Sequence, residues 1–142
     1  MKDSRAMKRP AAQMNIPGMT QVVKGDLIKM YPESLALRMS QLEKHLKVIR
    51  SGVAVATIKG SDLVPEADYA MAVDCDRSGF AVVELSREDA LKFLAKEPLT
   101  FPDSPRGFIL LTYKGLGLGF VKNLGSRSNN LLPVSRRIRL KL

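Results

Sequence analysis

The sequence predicts an α+β fold, a small mixed β-barrel with short helices at its corners. Two observations support this prediction. Short apolar runs rich in β-branched residues are separated by glycine-containing turns, as in sheets built from short strands. Brief segments of helical periodicity follow proline or serine residues that can begin a helix. The 142 residues can bury one core, so we expect a flexible basic arm or linker over residues 1–18 and one domain over residues 19–142.

The first part of this domain contains a predicted hairpin, a helix and two strands. Residues 20–28 predict the hairpin, with Gly25 near its tip. The helix after Pro32 has apolar residues at i, i+4, i+7 and i+11, which predicts one face turned toward the core: Leu35, Met39, Leu42 and Leu46. Residues 47–59 contain two β-branched runs separated by Ser51–Gly52, and they predict two strands.

The middle of the chain alternates between helix and strand. Proline is favoured in the first turn of a helix, so residues 65–73 predict a short helix. Residues 80–85 have the composition of a strand. Ser86 and Asp89 form a variant capping box for a second helix that ends near Ala95.

The last third predicts a long hairpin and a terminal strand. Residues 107–123 flank Lys114–Gly115 with apolar runs, as expected for two paired strands. Gly117 and Gly119 lack the spacing of a phosphate-binding loop, and we expect them on one strand face, where a helix or RNA backbone can approach closely. Residues 125–130 predict a polar loop. The alternation over residues 136–142 predicts a strand with one basic face.

The positive charge of the chain is concentrated in its last 39 residues. The whole sequence has 23 Lys and Arg against 14 Asp and Glu, a net charge of +9. The segment after Asp103 contains eight bases and no acid, so it accounts for +8 and the first 103 residues for +1. Such a positive region attracts polyanions. From composition alone, nucleic acid, an acidic membrane surface, an acidic protein and a solvated surface without a partner remain alternatives.

Several classes of protein are excluded by what the sequence lacks. No apolar run approaches the ~20 residues of a membrane span, and residues 1–18 do not contain the apolar stretch of a secretory signal. Cys75 cannot form an internal disulfide, and no Cys/His spacing indicates zinc. We therefore expect a cytoplasmic protein that contains no metal or other cofactor and does not bind a membrane.

The segment from Ser86 onward contains an ordered series of motifs: Ala90–Leu94, Gly107–Leu111, Lys114–Gly115, Leu118–Lys122, Asn130–Pro133 and the arginines between 136 and 139. Their order and spacing resemble the PUA-like RNA-binding domain at the C-terminal end of bacterial ribosomal RNA cytosine-C5 methyltransferases of the Sun/RsmF type. Weaker similarity extends back to about residue 20. Phe108 departs from the family, which tends to have tryptophan there.

The resemblance implies that residues 19–142 are an RNA-binding module that docks an S-adenosylmethionine-dependent methyltransferase on ribosomal RNA. The catalytic domain of that family uses two cysteines, and Cys75 alone cannot fill both roles, so we expect no catalysis by this chain. The resemblance implies ribosomal RNA as the partner, together with a methyltransferase catalytic domain in cis or in trans. The residues that it assigns to RNA binding are Lys122, Asn130, Arg136 and Arg137. Two further candidates come from the residues themselves: Arg139, on the same predicted strand face as Arg137, and Tyr113, as a ring for base stacking.

Other interpretations remain open. The chain could be a basic adaptor that binds a ribosomal protein or a methyltransferase instead of RNA. A small enzyme would need a nucleophile and a base in one pocket, and only Cys75 and His45, in separate segments, are available. We expect His45 on the surface, and Phe108 and Phe120 in the core, which leaves Tyr113 as the ring available for base stacking.

Overall fold

A computed structural model describes residues 14–139, which form an α+β structure as predicted. The strands are β1 (Met19–Lys24), β2 (Leu27–Pro32), β3 (Val53–Lys59), β4 (Asp62–Pro65), β5 (Ala81–Glu84), β6 (Gly107–Tyr113), β7 (Leu116–Asn123) and β8 (Ser128–Asn130). The helices are α1 (Glu33–His45), α2 (Ala67–Met71) and α3 (Arg87–Leu94), and a 3-10 turn spans Val134–Arg136.

The first four strands form an antiparallel N-terminal sheet in the order β1-β2-β3-β4. The predicted hairpin is confirmed, because β1 pairs with β2 around a turn in which Gly25 has φ +60°. The predicted strand at residues 53–58 is also confirmed as β3. The shorter strand predicted at residues 48–49 does not form, and the Ile49 side chain there is 93% exposed. A residue without core contacts has no packing that would hold it in a strand.

The last four strands form the C-terminal sheet in the order β5-β6-β7-β8, with β5 parallel to β6 and the other pairs antiparallel. The predicted hairpin is β6–β7, and its turn residues Lys114 and Gly115 both have positive φ. Helix α3 connects β5 to β6 and begins as predicted, because the Ser86 hydroxyl accepts a hydrogen bond from the Asp89 N–H at 3.2 Å.

The prediction of a closed barrel is wrong, because the two sheets are not joined into one. Within residues 14–139, β4 pairs only with β3 and β5 pairs only with β6. Side chains, rather than hydrogen-bonded strands, connect the sheets. Helix α2 contributes Tyr69 and Ala70 to a core that also includes Val55 of the N-terminal sheet and Phe120 of the C-terminal sheet.

A second core lies between the C-terminal sheet and α3. Its centre is Phe93, which is fully buried against Ile109 and Leu111 of β6 and Val121 of β7. Leu132, beyond β8, is buried in the same core. The C-terminal sheet is therefore covered on both faces, and its ligand-accessible positions are confined to strand ends, the β8 edge and the connecting loops.

The packed structure includes residues that the sequence analysis assigned to the arm over residues 1–18. Met14 and Ile16 are buried in the core between the sheets, and the Gln21 side-chain amide donates a hydrogen bond to the Met14 carbonyl at 2.9 Å. These two apolar side chains therefore belong to the core rather than to an arm. Residues 1–13 of the predicted arm lie outside the described part of the chain.

Helix α1 forms where predicted, but its apolar stripe does not enter the core. No residue of α1 is buried, and Leu35 and Leu42 are 44% and 46% exposed. The stripe ends with Leu46, just after the helix, which is 60% exposed. The core between the sheets is already filled by α2, and α1 instead contacts the β1–β2 hairpin, where Lys24 of β1 makes an ion pair with Glu43.

Two further predictions in the last third are wrong. Gly117 and Gly119 do not share a strand face, because the register of β6–β7 shifts between Leu111 and Thr112. Gly117 faces Ala70 of α2, and Gly119 faces the Phe93 ring of α3. Residues 137–139 are irregular instead of forming a strand, and residues 140–142 lie outside the described residues. The polar loop predicted at residues 125–130 contains strand β8 at its end.

Candidate nucleic-acid interface

Lys122 lies near the end of β7 and faces the gap between the two sheets. It stands opposite Phe108 in the β6–β7 register, and its Nζ is 5.5 Å from the centre of the Phe108 ring. The same Nζ is 4.0 Å from the Asp62 carboxylate, at the start of β4. The lysine side chain remains 40% exposed. Lys122 is thus accessible to a ligand, although an acid and an aromatic ring are its neighbours.

Asn130 is held by hydrogen bonds within the protein. Its side-chain N–H donates to the Phe93 carbonyl at 2.8 Å, and its Oδ1 accepts from the Leu132 N–H at 2.8 Å. The Lys96 ammonium also donates to the backbone carbonyls of Asn130 at 3.2 Å and Leu132 at 2.6 Å. These bonds attach the segment after β8 to the C-terminal end of α3. The structure therefore gives the Asn130 side chain a positioning role.

Arg136 is also engaged within the protein. Its guanidinium forms an ion pair with Asp68 of α2, and its Nη1 is 3.9 Å from the Met71 sulfur. Asp68 makes a second ion pair with Arg50 at 3.3 Å. Arg136 thus connects the 3-10 turn to α2, and its charge is compensated in the folded chain.

Arg137 and Arg139 differ from Arg136 because both are exposed. Arg137 is close enough to Lys96 to affect its ionisation: burial lowers the pKa of Lys96, and the positive charge of Arg137 lowers it further. The Ile138 N–H between the two arginines donates to the Leu94 carbonyl at 3.0 Å, which holds this segment against α3. Two cations, Lys96 and Arg137, therefore lie near each other at the C-terminal end of α3.

Tyr113 lies at the other end of the β6–β7 hairpin from Lys122. In the strand register Tyr113 stands opposite Leu116, whereas Lys122 stands opposite Phe108. Five residues along a strand separate the two positions by about 17 Å. Tyr113 is half-buried, and the Lys114 Nζ is 5.6 Å from its ring centre. The structure does not bring Tyr113 together with Lys122.

A groove of about 440 Å³ runs between the end of α3 and strand β8. Its polar lining comes from Lys96, Glu97, Arg127, Ser128, Asn129 and Asn130. Arg127 and Asn129 are exposed, and Ser128 donates to the Leu99 carbonyl at 2.6 Å. Sequence reasoning did not select Lys96, because it precedes the basic segment. Its unusual backbone, with φ +59° just after α3, is not visible in the sequence pattern.

Asn123, the last residue of β7, is a second structural residue that sequence reasoning missed. It is buried, and its side-chain amide lies within hydrogen-bonding distance of the carbonyls of Phe101 (3.0 Å), Ser104 (3.1 Å) and Pro105 (3.1 Å). Its Oδ1 accepts from the Gly125 N–H at 3.1 Å. One side chain thereby connects the proline-rich loop before β6 to the turn after β7. The Arg106 side chain extends from this loop toward Gly125 in that turn.

The residues considered for catalysis do not form a site. His45 is exposed at the end of α1, as expected, and Cys75 is buried between α2 and β5. Asp76 accepts hydrogen bonds from the Ser78 hydroxyl and N–H, and these bonds lower the pKa of Asp76 and stabilise a turn. Among residues 14–139, no three His, Cys, Asp or Glu side chains are grouped as a metal site requires, and no helix has the length and apolarity to cross a bilayer.

Comparison with known proteins identifies the segment that contains the C-terminal sheet. Residues 80–138 match the family described as the methyltransferase RsmF PUA domain. Residues 80–138 are thus similar to a PUA-like domain of the RsmF type, and we call them the PUA-like segment. The predicted resemblance to Sun/RsmF-type methyltransferases is thereby confirmed.

A curated relative of the PUA-like segment is the ribosomal RNA small subunit methyltransferase F of Shewanella sediminis. It is 42% identical over 52 residues, which is 35% of this chain and 11% of the relative. The match therefore spans about a tenth of that relative's length. The PUA-like segment includes α3, the groove beside β8 and Arg137, whereas the N-terminal sheet precedes the matched residues.

Proposed function

We propose that this chain is an RNA-binding module that docks an RsmF-type methyltransferase on ribosomal RNA. The observation that supports this function is the position of the basic groove. Lys96, Arg127 and Arg137 all belong to the PUA-like segment: Lys96 and Arg127 line the groove beside β8, and Arg137 lies near Lys96. Cations at an accessible strand edge supply the phosphate contacts on which most nucleic-acid affinity depends.

In this proposal the predicted RNA-binding residues divide into two groups. Arg137 and Arg139 are accessible and contact phosphates, Arg127 adds an exposed cation beside β8, and Lys122 is accessible to the RNA at the gap between the sheets. Asn130 and Arg136 position the segment after β8, because Asn130 is hydrogen-bonded to α3 and Arg136 forms an ion pair with α2. Tyr113 would serve a separate part of a longer RNA, because it lies about 17 Å along β6 from Lys122. Glu97, which lines the groove, would repel phosphate groups and so restrict the path of the RNA chain.

RNA binding is tested by replacing Arg127 and Arg137 together with Glu. The probe is a labelled fragment of small-subunit ribosomal RNA, and its affinity is measured over a range of salt concentrations. We expect weaker binding and a log–log salt dependence that is shallower by roughly one unit for each phosphate that is no longer neutralised. The matched control is Lys44→Glu with Lys47→Glu, which makes the same change in charge at exposed positions of the α1 region. Equal weakening in both variants would show a general charge effect and contradict the proposed surface.

The docking role requires a separate experiment. We propose that the module joins a methyltransferase catalytic domain, in cis or in trans, and acts in ribosomal RNA modification in the cytoplasm. Pull-down of an RsmF-type catalytic domain with and without nuclease separates the two classes of partner. Association that requires intact RNA supports docking through RNA. Association that survives nuclease, together with no binding to ribosomal RNA fragments, would instead support the basic protein adaptor.

A further inference from the structure

A second cleft, distinct from the groove at β8, opens between the two sheets. It has a volume of about 430 Å³, within the range of about 300–1,000 Å³ that is typical of small-ligand sites. Its apolar lining includes Met14, Leu63, Phe80 and Phe108. Its polar lining includes Ser61, Asp62 and Arg106. An aromatic ring beside a carboxylate and a guanidinium is a combination that can bind a planar, polar ring.

Asp62 and Lys122 stand side by side at this cleft. Asp62 begins β4 in the N-terminal sheet, Lys122 lies on β7 in the C-terminal sheet, and their charged atoms are 4.0 Å apart. This separation exceeds a hydrogen bond, and the side chains are 63% and 40% exposed. An ion pair of this kind contributes little to stability. Both groups are therefore available to a ligand without the disruption of a strong internal interaction.

Phe108 supplies a surface for stacking. The ring is half-buried at the cleft instead of being enclosed in the core as predicted, and the Lys122 Nζ lies over it. Unpaired RNA bases stack on such rings, and sequence-specific RNA recognition mainly uses unpaired bases. The Lys122 side chain is 40% exposed, so a base that takes its place over the ring can displace the ammonium to the edge of that base, where it donates a hydrogen bond. Stacking and edge recognition are thus combined at one position.

The adjacent charges select among the bases. A lysine ammonium only donates hydrogen bonds and a carboxylate only accepts them. The Watson–Crick edge of guanine has one acceptor, O6, next to two donors, N1–H and N2–H, which a carboxylate can accept together. The corresponding edges of adenine, cytosine and uracil offer one donor position beside their acceptors. Guanine therefore matches the Asp62–Lys122 pair best.

We propose that this cleft binds an unpaired guanine base of the RNA, stacked on Phe108 and recognised by Asp62 and Lys122. This inference rests on the proposed RNA-binding function and adds base specificity to it. Arg106 lies at the rim of the cleft, against the backbone of Gly125, where it can contact the phosphate of the same nucleotide. Asp62 precedes the PUA-like segment, so both sheets are needed to complete the site.

Labelled RNA oligonucleotides test the cleft. Each probe is a uridine tract with one central guanosine, inosine, adenosine or cytidine. We expect the guanosine probe to bind about tenfold more tightly than the adenosine probe, with inosine between them because it lacks the N2 amino group. Asp62→Asn should reduce the preference for guanosine over adenosine to less than about twofold. Phe108→Leu should weaken binding of all four probes about tenfold without changing the salt dependence, because the variant weakens stacking and leaves the phosphate interactions in place.

Asp26→Asn is the matched control for Asp62→Asn. Asp26 lies in the β1–β2 turn of the same sheet, away from the cleft lining. The Asp26→Asn variant should therefore keep the full preference for guanosine. Thermal unfolding by circular dichroism checks that each variant remains folded. Guanosine monophosphate, titrated against the wild-type protein by NMR, tests the cleft without a phosphate backbone. Shifts at the Phe108 and Lys122 amides with this nucleotide, and not with uridine monophosphate, support the site.

The outcomes separate the two proposals. RNA binding with no preference for guanosine, or a preference that persists in Asp62→Asn, overturns the guanine site and leaves RNA binding intact. Failure to bind any RNA overturns the proposed function. If guanosine monophosphate also leaves the Phe108 and Lys122 amides unshifted, the cleft is not a nucleobase site.

Discussion

Gly117 of β7 lies directly against Ala70 of α2: a β-carbon at Gly117 would stand 1.8 Å from the Ala70 carbonyl oxygen. This close approach brings α2 onto the C-terminal sheet. The neighbouring Tyr69 ring then stacks near Phe120, with ring centres 6.5 Å apart and planes inclined by 10°. The contact therefore helps to hold the N-terminal half of the chain to the C-terminal sheet.

Gly117→Ala should destabilise the protein by about 2–4 kcal/mol, because the added methyl group meets backbone that cannot move without displacing α2. Gly60→Ala is the control. Gly60 has φ +60° with nothing within 4 Å of an added β-carbon, so the cost in that variant is the strain of alanine in a left-handed conformation, about 1–2 kcal/mol. Urea denaturation measures both free energies of unfolding. A Gly117→Ala variant as stable as wild type would show that the approach to Ala70 adds no steric cost.

Local features of the chain were predictable, and long-range closure was not. The β6–β7 turn and the Ser86 cap depend on residues within four positions of one another, so their chemistry is visible in the sequence. Barrel closure depends on whether β4 and β5 meet, and no local pattern encodes that. The stripe of α1 has the periodicity of a buried helix, yet α2 fills the core in its place.

The Asn130 side chain should contribute more to stability than its neighbour Asn129. Asn130→Ala removes a donor to the Phe93 carbonyl and an acceptor of the Leu132 N–H, and we expect a loss of about 1–3 kcal/mol. Asn129 is exposed, and Asn129→Ala should change the free energy of unfolding by less than about 0.5 kcal/mol. Urea denaturation distinguishes the two. Similar values would mean that these hydrogen bonds do not hold the segment after β8.

Arg136 and Arg137 should separate stability from RNA affinity. Arg136→Gln removes the ion pair with Asp68, and a double-mutant cycle with Asp68→Asn should give a coupling of about 0.5–1 kcal/mol in the free energy of unfolding. Arg137→Gln should leave stability within about 0.5 kcal/mol of wild type, since its side chain is exposed, and should weaken RNA binding more than Arg136→Gln does. The reverse order of RNA affinities would place Arg136 in the interface.

The site was predictable only in part, for a related reason. The basic segment and its motifs predicted Arg137 and Lys122 as candidates, because charge and motif order are properties of the sequence, and the structure leaves both accessible. The compensation of Arg136 by Asp68 joins residues that are 68 positions apart. The cleft at Phe108 likewise depends on Asp62 from the other sheet. Such pairings follow from the packing of the two sheets, so periodicity and composition could not reveal them.

Stability should fall at alkaline pH because of Tyr69. Burial raises the pKa of the Tyr69 hydroxyl to about 12, and the nearby Cys75 acts in the same direction. The hydroxyl accepts from the Asn15 N–H at 3.0 Å and donates to the Asp76 carbonyl at 2.8 Å. In the unfolded chain the pKa is about 10. The neutral phenol therefore stabilises the folded state fully below pH ~10, and this contribution is lost as pH rises toward ~12.

Tyr69→Phe tests this expectation, because the variant lacks the ionisable group. At neutral pH it should be less stable than wild type by about 1–3 kcal/mol, since the Asn15 N–H and the Asp76 carbonyl lose their buried partner. Between pH ~10 and ~12 the difference should shrink, because only the wild-type chain loses a proton more readily when unfolded. Urea denaturation at a series of pH values measures the difference. A difference that stays constant across this range would show that Tyr69 ionises equally in both states.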